Sequence, residues 1–175
     1  MVIEKALAIH SSESEKAVLG SILLDETCFE LVKDFIPEKD VFYELKNQSV
    51  WEVICKLKKE NIPVDLINVS TKLDNMTYYV SGLVDSTPTA ANAISYARQL
   101  NSDWLRRKLV AQSQQIAEKA TDNANDINSL LVNVHDTASS LLNLEPGQKF
   151  NLEELLVETQ DSIFNQRNLV GTGIK

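Results

Sequence analysis

The sequence predicts an all-α protein: a compact helical bundle followed by a long αα-hairpin and a C-terminal linker helix. Three observations carry this. Apolar residues recur at helical spacing through almost every segment. Glycine and proline are scarce, 5 and 4 in 175 residues, which favours long uninterrupted elements over a turn-rich β fold. The two clearest breaks, "DNAND" and "EPGQK", separate two long helical stretches from one another and from the C-terminal segment. The expected divisions are a bundle over 1–92, a hairpin over 93–145, and a linker and docking helix over 146–175.

Within the bundle, "SSESEKAVLGSILLD" offers Ser12 as N-cap with Glu15 three residues on, the capping-box arrangement. Val18, Leu19, Ile22 and Leu23 then share one face. Asp25 is placed to cap a second helix, in which Phe29, Val32 and Ile36 recur until Pro37 prevents continuation. In "YELKNQSVWEVICKLKKEN", Val50, Trp51, Ile54 and Leu57 point inward while Lys56, Lys58 and Lys59 stay in water. After the turn at "NIP", Asp65 caps a short helix carrying Leu66, Val69 and Leu73. "YYVSGL" forms one further brief element.

The hairpin begins near "TPTAANAISYARQL", with Pro88 ahead of the helix start and Thr89 as its cap. This helix runs for about 30 residues, roughly 45 Å. Its apolar positions thin to Leu105, Leu109, Ile116 and Ala120, a narrow stripe. Asp126 caps the return helix, which carries Ile127, Leu130, Leu131, Val134, Ala138, Leu141 and Leu142. Two such stripes suit pairing with each other and with one further layer of helices, and a second copy of the chain would supply that layer. Leu109, Ile116, Leu131, Val134 and Leu141 are therefore candidate partner-binding residues. Beyond the Pro146–Gly147 break, Asn151 can cap with Glu154 at N3, and Phe150 and Leu155 are placed as a hydrophobic staple. Leu152, Leu155, Leu156 and Ile163 form a stripe too short to be stable alone in water. It reads as a docking element for a neighbouring molecule.

Hydrophobic content of 43% and charged content of 24% exclude wholesale disorder. A net charge of −8 argues against phosphate backbones as the main ligand. No apolar run approaches the roughly 20 residues needed to span a bilayer, and no secretory signal opens the chain; a cytoplasmic location is expected. Cys28 and Cys55 read as buried small hydrophobes, and His10 and His135 lie too far apart for a metal site. "GTGIK" is only an echo of a phosphate-binding loop, and no other catalytic signature appears. Neither catalytic residues nor a bound cofactor is expected here. Arg106, Arg107 and Lys108 read as a solvated face opposite the Leu105/Leu109 stripe.

Five stretches in order resemble the N-terminal domain of DnaB-type replicative DNA helicases. They are "ESEKAVLGSILLD", "DVFYELKNQSVWEVI", "IPVDLINVSTKL", "YYVSGLVDSTPTAANAISYARQL" and "WLRRKLVAQSQQIAEKA". The fourth is the strongest, through Tyr79, Leu83, Thr87, Pro88, Thr89, Ala90, Ala91, Asn92, Tyr96 and Ala97. Two departures stand out: Asn47 occupies a position where the family often has histidine, and "LDNMTY" replaces a longer Gly-rich loop before Tyr79.

The resemblance implies an assembly domain. Such domains pair into a trimer-of-dimers collar that recruits primase and, in some members, a helicase loader. The linker helix docks on the adjacent subunit's RecA-like motor, which unwinds DNA with ATP and Mg²⁺. DNA would be engaged through that parent hexamer rather than through this domain. "VGTGIK" looks like the approach to the motor, so a cut chain is expected. The rival readings are a stand-alone helical adaptor without a motor, and a loader-like or nucleic-acid-binding module using Arg106, Arg107 and Lys108.

Overall fold

The computed structural model of the chain describes residues 9–122, 124–144 and 146. Among them are seven α-helices, two 3-10 turns and no strand. The helices are α1 (Ser12–Leu24), α2 (Cys28–Val32), α3 (Leu45–Lys59), α4 (Leu66–Lys72), α5 (Thr77–Asp85), α6 (Ala93–Thr121) and α7 (Ile127–Leu142). The 3-10 turns are Lys33–Phe35 and Lys39–Val41. The expected docking stripe of Leu152, Leu155, Leu156 and Ile163, with its Asn151 cap, lies outside the described residues.

Helix α1 is the axis of the bundle, packed against α2, α3, α5 and α6. Its Val18, Leu19 and Ile22 are fully buried, and Val50, Trp51, Ile54 and Leu57 of α3 close on them as the spacing predicts. Phe29 and Phe42 flank Trp51 with ring centroids 5.4 and 5.7 Å away. The core does not stop at residue 92: Ala93, Ala97, Leu100 and Trp104 of α6 are all buried in it. Asp65 caps α4 as expected, accepting from the Asn68 backbone N–H at 2.7 Å.

Helix α1 starts differently from the expected capping box. The N-cap is Ser11, whose hydroxyl accepts from the Ser14 N–H at 3.2 Å. Glu15 is freed from local duty, turns inward and is completely buried. Its carboxylate accepts from the backbone N–H of Tyr43 (2.7 Å), that of Glu44 (3.2 Å) and the Asn47 side-chain amide (2.7 Å). Those groups sit at the start of α3, whose own N-cap residue Glu44 makes no side-chain cap bond. One helix thus caps another through its core, and an anion at a helix N-terminus is electrostatically favoured. The Tyr79 hydroxyl completes the network by donating to Asn47 Oδ1.

Two other starts are also displaced. Asp25 accepts from the N–H and hydroxyl of Thr27 in a tight turn, and α2 begins only at Cys28. Thr89 accepts from Ala91 N–H, and α6 begins at Ala93 behind Asn92. Cys28 is buried as expected, whereas Cys55 is half-buried.

Gly20 is where α1 meets the end of α5. A Cβ there would fall inside the radii of Thr87 Oγ1 and the Leu83 carbonyl oxygen. Gly20→Ala should therefore cost about 1–3 kcal/mol by overpacking despite alanine's better helix propensity, seen as a lower urea midpoint with unchanged m. Burial, reinforced by the charges of Glu44 and Glu15, pushes the Tyr79 phenol up to about 12. A proton held more tightly in the folded than the unfolded chain stabilises fully below the unfolded value near 10, and that stabilisation disappears between 10 and about 12. Thermal melts should show the advantage of the wild type over Tyr79→Phe constant below pH 10 and shrinking above it.

Candidate functional site

The surface that stands out is the hairpin of α6 and α7. The first three turns of α6 belong to the core; beyond Trp104 no residue of α6 is fully buried, and α7 has none at all. Asp126 caps α7 as expected, accepting from the Ser129 N–H at 2.9 Å. The α7 stripe Ile127, Leu131, Val134, Ala138, Leu141 advances in alternate steps of 4 and 3, a coiled-coil period. Its partner on α6 covers only one edge. Ile127 remains 63% exposed, Leu131 61% and Val134 38%, and Leu109 across the seam is 54% exposed. Ile116 and Leu141 are half-buried. Near the root, Leu105, Leu109, Ala138, Leu141 and Leu142 line a groove of about 420 Å³, with Arg106 its sole charged residue. Five residues predicted from the sequence, Leu109, Ile116, Leu131, Val134 and Leu141, therefore share one two-helix ribbon. Ile127 and Leu142 extend the same face.

The basic cluster at the root is not a solvated face. Arg107 is half-buried and donates to three backbone carbonyls: Ile9 (2.9 Å), Asp40 (3.0 Å) and Val41 (2.9 Å). Burial pulls its pKa down, while the negative charges of Glu15, Asp103 and Asp40 hold it up. Its guanidinium also lies 5.7 Å from the centroid of the Tyr43 ring, against which His10 stacks at 4.1 Å. Lys108 pairs with Glu38 at 3.0 Å and Asp40 at 3.8 Å, and sits 4.5 Å from the Trp104 ring centroid. Only Arg106 faces water. These cations bolt α6 onto the loop before α3, which fixes where the hairpin points. Nothing in "RRK" reveals this, because the acceptors are main-chain carbonyls about 65 to 100 residues away.

Among the described residues no three His, Cys, Asp or Glu side chains gather as metal ligands, and no helix is long and apolar enough to cross a membrane. The geometry offers a surface for assembly.

Residues 8–102 match the family model of the DnaB-like helicase N terminal domain. The chain belongs to this family. It is 28% identical over 173 residues to the replicative DNA helicase DnaC of Bacillus subtilis (strain 168), covering 93% of this chain and 38% of that protein. It is 29% identical over 175 residues to the replicative DNA helicase DnaB of Geobacillus stearothermophilus, covering 94% of this chain and 38% of that protein. The DnaB-like chain thus spans well under half the length of these relatives. The crystal structure of the N-terminal domain of DnaB helicase from Mycobacterium tuberculosis shares its fold, with a TM-score of 0.67 at 24% identity over 75% of this chain and 97% of the other.

Arg107→Ala should cost this DnaB-like domain about 1.5–3 kcal/mol in chemical denaturation, the range for hydrogen bonds to a charged group. Arg107→Lys should recover less than half of it, because an ammonium cannot present a planar fork to three separated carbonyls.

Proposed function

We propose that this chain is the assembly collar of a replicative DNA helicase. The observation that carries the reading is the open apolar face of the α6–α7 hairpin on a domain of the DnaB-like family. Two helices with half their stripe in water gain by association, because each buried apolar Å² contributes about 25 cal/mol. A second copy brings the same stripe and completes a four-helix layer, and three such pairs make a hexamer. The face holds little charge, so it suits a chain whose net charge of −8 would otherwise resist self-association.

In this reading the collar stands above a motor that lies outside these residues and unwinds DNA with ATP and Mg²⁺. Primase, and a loader in some settings, would be recruited by the collar's outer surface. Leu152, Leu155, Leu156 and Ile163 would seat the linker on the adjacent subunit's motor. A nucleic-acid role for Arg106, Arg107 and Lys108 is disfavoured, since two of the three are committed to the bundle.

The test is mass in solution. The 175-residue chain should behave as an oligomer by light scattering at high micromolar concentration. Leu131→Asp/Val134→Asp should be monomeric with unchanged helicity by circular dichroism. A double variant that keeps the wild-type mass would remove the hairpin from the interface.

A further inference from the structure

The open face of the hairpin carries a spacing that the C-terminal segment repeats. Leu142, Ala138 and Leu131 of α7 are separated by 4 and 7 residues, which sets them on one side of the helix. All three are open to water: Leu142 is 36% exposed, Leu131 61%, and Ala138 is exposed between them. Leu152, Leu156 and Ile163 are also separated by 4 and 7 residues. Laid antiparallel to α7, the two series fall into a single register, with Leu156 over the small side chain of Ala138.

The connection and the charge suit the same arrangement. Helix α7 ends at Leu142, which itself lines the groove with Leu105, Leu109 and Arg106. Leu144 packs back against the core, so the chain turns at the hairpin root. The eight residues 143–150 suffice to reverse direction, since neighbouring helices are joined by roughly 2 to 8. So short a tether sets an effective concentration on the order of millimolar, at which a weak contact is enough. From Asn151 to Phe164 the segment carries Glu153, Glu154, Glu158 and Asp161 and no lysine or arginine. The groove's one charge is the exposed Arg106, of opposite sign.

We infer that the stripe of Leu152, Leu155, Leu156 and Ile163 seats on its own hairpin, antiparallel to α7, with Leu152 beside Leu142, Leu156 over Ala138 and Ile163 beside Leu131. The seat itself is independent of the assembly reading above, but one consequence rests on it. Leu131 cannot be covered by the stripe and by a second copy at once. A motor that captures the stripe would therefore free the hairpin face for pairing.

Two cysteine pairs in the whole chain test the seat, with Cys28 and Cys55 replaced by alanine. One is Leu156→Cys/Ala138→Cys; the other, Leu156→Cys/Asp136→Cys, is the control. Asp136 is also exposed and only two residues away, but lies on the other side of α7. With oxidised glutathione, the first pair should bridge within one chain at least about tenfold faster than the second, because a disulfide needs its Cβ atoms roughly 3.5–4.5 Å apart. Equal rates, or bridges formed mainly between two chains on a non-reducing gel, overturn the inference. In sedimentation, Leu152→Asp/Ile163→Asp should associate at least about threefold more tightly than the wild type, because the pairing face is no longer partly occupied. An oligomer whose dissociation constant is unchanged by that variant leaves Leu131 outside the seat and overturns the proposed register. If both proteins are monomeric at every concentration, the assembly reading falls, while the bridging rates still decide the seat.

Discussion

The fold hangs on a carboxylate with no access to water. Glu15 is fully buried, yet its charge is met by two backbone N–H groups and an amide at the start of α3. A buried charge is tolerable only when its hydrogen bonds are complete. Because the donors belong to Tyr43, Glu44 and Asn47, completing them fixes how α3 enters the bundle relative to α1. Asn47 passes the constraint to Tyr79 and so to α5. Tyr43 passes it outward, since its ring stacks on His10 and lies close to the Arg107 guanidinium. A single side chain thereby couples three helices and the root of a fourth.

That arrangement explains which parts of the molecule are legible in the sequence. The apolar faces of α1 and α3 follow from 3.6-residue spacing alone, and Val18, Leu19, Ile22, Val50, Trp51, Ile54 and Leu57 are where spacing puts them. Asp65 and Asp126 cap as expected because a cap needs only its own next three residues. The hairpin is legible for the same local reason. Glu15 is not: Ser12 and Glu15 have the spacing of a capping box, but Ser11 takes the cap, and the carboxylate finds better donors about 30 residues away. Arg107 escapes similarly, because main-chain carbonyls leave no mark in a sequence. The cap position of α6 shifts from Thr89 to Asn92 since the residues between form a turn that brings Ala90 against the core.

Asn47 joins the two sides of this network. Its amide is used at both ends, donating to Glu15 and accepting from Tyr79. An amide serves both bonds without a choice of tautomer or charge.

Helix α6 passes without glycine or proline from the middle of the bundle to the far tip of the hairpin. It behaves as a lever clamped at one end. With the clamp at Arg107 and Trp104 and the tip roughly 25 Å beyond, a tilt of about 5° at the root displaces the tip by about 2 Å. The stiffness of the helix means such a tilt cannot be dissipated along the way. Small repacking in the bundle, around the very carboxylate that organises it, is therefore magnified at the surface where copies would meet.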